Sequence, residues 1–121
     1  RDSNLVLDCS DNLVARYAID KACQNLSIPF VFGGGRVYDG QVGLFNHHKG
    51  ISFSEMYPPV DENFANEDCN SLGTFGFVCH MVASLQASIA YQVLTNKLEI
   101  QEGEIFSLSL KDFANHRIRP K

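Results

Sequence analysis

Two short apolar runs, Asn4-Leu5-Val6-Leu7 and Phe30-Val31-Phe32, flank an amphipathic stretch that ends just before Pro29. No other feature of the chain limits its fold as much. A continuous apolar run marks a central strand covered on both faces. Ser10 and Asp11 can then cap a helix in which Leu13, Val14, Tyr17, Ala18, Ala22 and Leu26 recur at helical spacing, with Arg16, Asp20, Lys21 and Gln24 on its polar side. Strand, helix and strand within about 30 residues make one βαβ unit, expected to cross over right-handedly.

Beyond Gly33-Gly34-Gly35 the stretch Val37–Phe45 alternates and reads as strand with a Gly-marked bend. A turn is expected at Asn46-His47-His48-Lys49-Gly50, and Ile51-Ser52-Phe53 as a hairpin partner pairing back. PPVDENFANEDCN, from Pro58 to Asn70, has little periodicity and reads as a long polar connection, of a length that is usually functional or mobile. A long helix is expected from about Thr74 to Asn96, apolar nearly all the way round, with small residues Ala83, Ser84, Ala87, Ser88 and Ala90. Such a helix belongs in a core or against a partner subunit. Strands over Glu104–Leu110 and His116–Arg119 complete an α/β order with an antiparallel extension at one edge.

A chain of 121 residues is one domain, or part of one, and can bury a core. A formal charge of −4 and the lack of a Lys/Arg run exclude a nucleic-acid footprint. Cys9, Cys23, Cys69 and Cys79 form no CxxC pair, which fits free thiols in a reducing cytoplasm. Arg1-Asp2-Ser3-Asn4 leads straight into a strand pattern, so no signal peptide is expected, and an opening in mid-strand suggests a piece of a longer polypeptide. Phe75–Leu94 approaches the roughly 20 apolar residues that span a bilayer. His80, Ser84, Gln86, Ser88 and Gln92 interrupt it, so a buried helix and no membrane are expected.

The chemistry concentrates in Asp8-Cys9-Ser10-Asp11-Asn12, at the carboxyl end of the first strand, where open parallel sheets bind ligands. A carboxylate there can hold Mg²⁺ on nucleotide phosphates. The alternative is architectural: Asp8 ends a strand and Asp11 caps a helix, which explains one acid better than two. Gly33–Gly35 lacks the spacing of a phosphate loop and reads as backbone that lets a ligand or neighbouring chain approach closely. His47 and His48 read as a solvated turn. Cys69, ahead of the long helix, is either a dipole-activated thiol or an inert loop residue.

LVLDCSDNLVARYAIDKAC, PFVFGG, YDGQVGLFN, CNSLGTFG and SLQASIAYQVL, in this order and spacing, resemble the ThiF/MoeB/HesA family of ubiquitin-activating-enzyme-like adenylyltransferases over nearly the whole chain. The resemblance implies a partial Rossmann-like, three-layer sheet. It also implies an enzyme that uses MgATP to adenylate the C-terminal glycine of a ubiquitin-like sulfur-carrier protein, in the manner of thiamine or molybdenum-cofactor biosynthesis. By position it makes Asp11 the catalytic Mg²⁺ ligand and Asn12 a nucleotide-lining residue. Asp8 becomes the strand-end partner on the cofactor side, and Arg16 a supporting structural or electrostatic group there. Cys69 matches the cysteine that in some members forms a covalent sulfur link to the carrier.

Two departures qualify the resemblance. Ser52 and Glu55 stand where many members have a zinc-binding CxxC, and a serine hydroxyl is a poor zinc ligand, so structural zinc is not expected. The family's Gly-rich ATP loop, ribose-binding acid and phosphate-binding Arg and Lys all precede the DCTDN-like motif. Residues 1–121 are therefore expected to be the carboxyl-terminal half of an adenylyltransferase domain, inactive alone. The alternative function is a non-catalytic carrier-binding or dimerisation module, and a homodimer is expected.

Overall fold

The computed structural model describes residues 4–8, 13–47, 50–56, 74–100 and 102–118. In chain order the elements are β1 (Val6–Leu7), α1 (Leu13–Leu26), β2 (Phe30–Arg36), β3 (Asp39–Phe45), α2 (Phe53–Met56), α3 (Gly76–Leu94), β4 (Ile105–Ser109) and β5 (Asn115–Ile118). They build one five-stranded sheet in the order β1-β2-β3-β4-β5. β1 runs parallel to β2, with Val6 opposite Phe30, and every later pairing is antiparallel. The expected α/β architecture, with a βα unit, a long helix and an antiparallel extension, is the one observed.

Strand periodicity sorts the side chains into three layers, because successive residues face opposite sides of a sheet. Phe30, Phe32 and Phe45 point to one face and pack with Cys23, Phe53 and Ile105, flanked by Tyr17 and Ile19 of α1. Val31, Val42 and Leu44 point to the other, against Val78, Val82, Ile89 and Val93 of α3. Phe53 is the hub of the aromatic layer, with ring centroids 5.1 Å from Phe32, 5.4 Å from Tyr17 and 5.6 Å from Phe45.

Several elements depart from expectation for identifiable reasons. Among the described residues β1 is an edge strand, and Leu7 is 44% exposed rather than covered on both faces. α1 is rotated about its axis: Arg16, Asp20 and Cys23 face inward, while Val14, Ala18, Ala22 and Leu26 face out. The inward polar pair is tolerated because both members are fully engaged below. The chain reverses at Val37-Tyr38, where two strand-forming residues hid the turn; Arg36 lies opposite Asp39, and Val37 takes a left-handed φ of 54°. β2 therefore runs on through Gly33–Gly35 as half of a hairpin.

Ile51-Ser52-Phe53 is no strand but the entry to α2. Ser52 Oγ accepts the Glu55 N–H at 3.2 Å, the N-cap half of a capping box, and donates to Glu55 Oε1 at 3.3 Å in a side-chain contact. His47 is half-buried rather than solvated, and its backbone N–H donates to Glu102 Oε2 at 3.1 Å. The helix α3 is long and apolar enough to cross a membrane by length and composition, yet it lays the stripe Val78, Val82, Gln86, Ile89 and Val93 on β2 and β3. Its outer side is exposed at Phe77, Tyr91 and Leu94.

Candidate functional site

The described part of the site starts where β1 ends. Asp8 is 1% exposed, and its backbone N–H continues the parallel ladder to the Val31 carbonyl at 2.9 Å. Its carboxylate Oδ2 accepts the Arg16 Nε–H at 2.5 Å, from one turn into α1. Arg16 also donates from its Nη2 to the Gly33 carbonyl at 3.0 Å, and its guanidinium stacks 4.7 Å from the centroid of Phe32. Planar, multi-donor Arg suits a buried site that asks for three contacts at once.

From the opposite layer Gln86 inserts its amide beneath the same point, donating to the Asp8 carbonyl at 2.9 Å and the Val31 carbonyl at 3.2 Å. Gly33 makes room for it, since a Cβ there would lie 2.4 Å from the Gln86 amide. The close approach expected there of a ligand or neighbouring chain is made at this position by the chain's own α3 instead. Thr74 closes the far end, its Oγ1 donating to the Gly35 carbonyl at 3.0 Å.

A cleft of about 330 Å³ opens over these groups, lined by Asp8, Arg16, Gly33, Gly34, Thr74 and Gln86 among others. It lies beyond the carboxyl end of β1, where an open α/β sheet receives ligands. Of the expected site residues, the structure brings Asp8 and Arg16 together as a buried ion pair in its wall. Asp11, Asn12 and Cys69 lie outside the described residues. No cluster of three His, Cys, Asp or Glu side chains that could hold a metal occurs among the described residues.

Cys79 is a free, exposed thiol in the cleft wall, and Cys23 is free and buried. Burial pushes the Cys23 thiol up to about 11, with Asp20 and Asp8 adding to the effect, so it stays protonated. The same two forces, burial first and then Asp20, raise the Tyr17 hydroxyl, against a smaller opposing pull from Arg16.

Sequence comparison settles the lineage. The ThiF family model matches residues 1–121. The chain belongs to the ThiF family. It is 33% identical over its whole length to the adenylyltransferase and sulfurtransferase MOCS3 of Drosophila persimilis, spanning 27% of that protein. It is 28% identical to a probable molybdopterin-synthase adenylyltransferase of Gracilaria tenuistipitata var. liui, spanning 34% of it. Among solved structures, E. coli MccB with ATP superposes on 98% of the chain with a TM-score of 0.77 at 15% identity, and covers 37% of that protein's chain. PaaA superposes with a TM-score of 0.69 at 20% identity. These two likenesses establish the fold.

Within this ThiF-family chain two residues had escaped notice as site builders. Gln86 interrupts the apolar stripe 78, 82, 89, 93 on its buried side, and that spacing was the available signal. Asp20, read as a solvent-side residue of α1, is 1% exposed. Its carboxylate accepts the N–H groups of Phe53 at 3.0 Å and Ser54 at 3.2 Å, capping α2 from a different element.

Proposed function

We propose that the complete protein is an ATP-dependent adenylyltransferase acting on the C-terminal carboxylate of a ubiquitin-like sulfur-carrier protein. Membership of the family and the names of the relatives support the reaction class. The single observation that carries the reading to this chain is the Asp8–Arg16–Gln86 cleft, because two of its lining residues, Asp8 and Arg16, flank Asp11 and Asn12 in sequence. In the reaction the carrier's carboxylate oxygen attacks the α-phosphorus of ATP, an acyl–phosphate bond forms, and pyrophosphate leaves with the electron pair of the broken bond. Catalysis of this kind rests on positioning and charge neutralisation.

The one described carboxylate in the cleft wall, Asp8, is committed to Arg16, so Mg²⁺ would be held by Asp11. Mg²⁺ would neutralise phosphate charge there. Asn12 would line the nucleotide, and Arg16 would keep the wall in place. Cys69 would be a candidate for a covalent sulfur link to the carrier. Residues 1–121 would supply the carboxyl-terminal half of the domain in a cytoplasmic homodimer, with too little of the nucleotide cradle to act alone. Ser52 and Glu55, hydrogen-bonded to each other at the start of α2, would not hold zinc.

The test is carrier-dependent ATP–pyrophosphate exchange by the complete protein. Asp11→Ala should abolish exchange while carrier binding persists. Exchange that survives the substitution removes Asp11 from the mechanism. A second reading, a non-catalytic carrier-binding module, draws support from exposed Phe75 and Phe77, stacked 5.0 Å apart against half-buried Tyr38. Carrier binding without any exchange would favour it.

A further inference from the structure

We infer that Gln86 is a positioning residue for the cleft, a clamp by which α3 fixes the carboxyl end of β1. This deepens the adenylyltransferase reading and rests on it. A primary amide in the apolar stripe of a core helix is costly unless its hydrogens are bonded. Gln86 is 5% exposed, and both of its partners are backbone carbonyls, Asp8 at 2.9 Å and Val31 at 3.2 Å. Because carbonyls can only accept, the nitrogen end of the amide must face them, which fixes the orientation of the side chain.

The two carbonyls belong to the adjacent parallel strands, at the point where their ladder reaches the cleft. Gln86 therefore holds β1 and β2 in step at the last place the sheet itself can do so. The contact also closes a circuit. Arg16 holds the Asp8 carboxylate and the Gly33 carbonyl, Gln86 holds the Asp8 carbonyl, and only glycine at position 33 leaves space for Gln86. Loss of the amide frees the Asp8 carbonyl, leaving its N–H on Val31, and loosens the carboxylate that Arg16 grips. A glutamine that merely filled space would not need two carbonyl partners and a glycine opposite.

The experiment uses the complete protein with MgATP and its carrier, and follows pyrophosphate exchange against Mg²⁺ concentration. Gln86→Leu keeps the bulk and removes the donors. It should lower kcat on the order of 10- to 100-fold and raise the half-saturating Mg²⁺ severalfold, as loss of a supporting hydrogen bond does at metal sites. The KM for the carrier should move less than about twofold, since only the positioning of the reacting groups is lost. Gln86→Glu is nearly isosteric and can donate only when protonated, so its activity relative to wild type should rise as pH falls from about 8 to about 6. Gly33→Ala, which leaves the amide intact but displaces it, should reproduce the Gln86→Leu signature.

Where Gln86→Leu does not fold, Gln86→Glu and Gly33→Ala decide the matter. Folded variants with wild-type kcat and Mg²⁺ dependence overturn the clamp while leaving the enzymatic reading intact. Carrier binding with no exchange by the unsubstituted complete protein overturns that reading instead, and the clamp's catalytic purpose with it.

Discussion

Asp8 and Arg16 are both buried, and their attraction has to offset the desolvation of two charges. Such pairs are fragile toward loss of one member. Arg16→Ala should therefore cost about 3–5 kcal/mol in urea unfolding, because it strands a carboxylate in the core. Replacing both by apolar residues, Asp8→Leu with Arg16→Met, should cost clearly less than the sum of the single changes. Additive losses would mean that the two charges do not depend on each other. Cys23 gives a second residue-scale test. Its folded pKa is raised from 9.0 to about 11, so the fold favours the neutral thiol. That stability is complete below pH 9.0 and drains away as pH climbs through about 11. Unfolding free energy should fall across this window in wild type and fall less in Cys23→Ala, while Cys79 alkylates far faster than Cys23 at neutral pH. Equal alkylation of the two would contradict the burial argument.

At the scale of elements, what was legible in sequence follows from how each element is specified. β2, β3 and α3 announce themselves through apolar runs and helical spacing; α3 folds close to where expected, while β2 extends to Arg36 and β3 begins only at Asp39. The rotation of α1 was hidden because inward polar residues, Arg16 and Asp20, look like a solvent face until their partners on β1 and α2 are known. Those partners are 8 and 33 residues away in sequence, beyond the reach of local periodicity. The Val37-Tyr38 turn was hidden because its backbone is adverse for a β-branched residue. The strain is borne by the hairpin register and by the bridge from Val37 to Thr74. Val37→Asn should raise stability by about 1 kcal/mol in thermal or urea unfolding, since Asn accepts a left-handed φ far more readily. A loss of that size would show that Val37 contributes more by packing than it costs by strain. The entry to α2 was signalled by Ser52-Phe53-Ser54-Glu55, whose capping-box spacing was read only as a departure from a metal motif. Ser52→Ala should cost about 1 kcal/mol. Asp20→Ala, which removes a charged acceptor from two backbone N–H groups, should cost more.

Across the whole molecule, the described surface has two apolar faces without a cover. One comprises Leu7 at the β1 edge and Val14 and Leu26 on the outside of α1; the other runs along α3 through Phe77, Tyr91 and Leu94. The chain spans about a quarter to a third of the length of the curated relatives it matches. The proposed homodimer should give a dimer mass for the complete protein in sedimentation equilibrium, independent of loading concentration, and a monomer mass would reject it. Fold class and family were readable from the sequence because several short segments in fixed order constrain the chain jointly. The cleft was only half readable: the acid at the strand end was visible and the family resemblance named Arg16 beside it, but Gln86 reaches the same point from a helix on the opposite face of the sheet. The most direct test of the proposed chemistry is to incubate the complete protein and its carrier with Mg²⁺ and ATP radiolabelled at either the α- or the γ-phosphate. Adenylation predicts label on the carrier from the α-position alone, and none on a carrier lacking its terminal glycine. Label arriving from the γ-position, or no label from either, would contradict it.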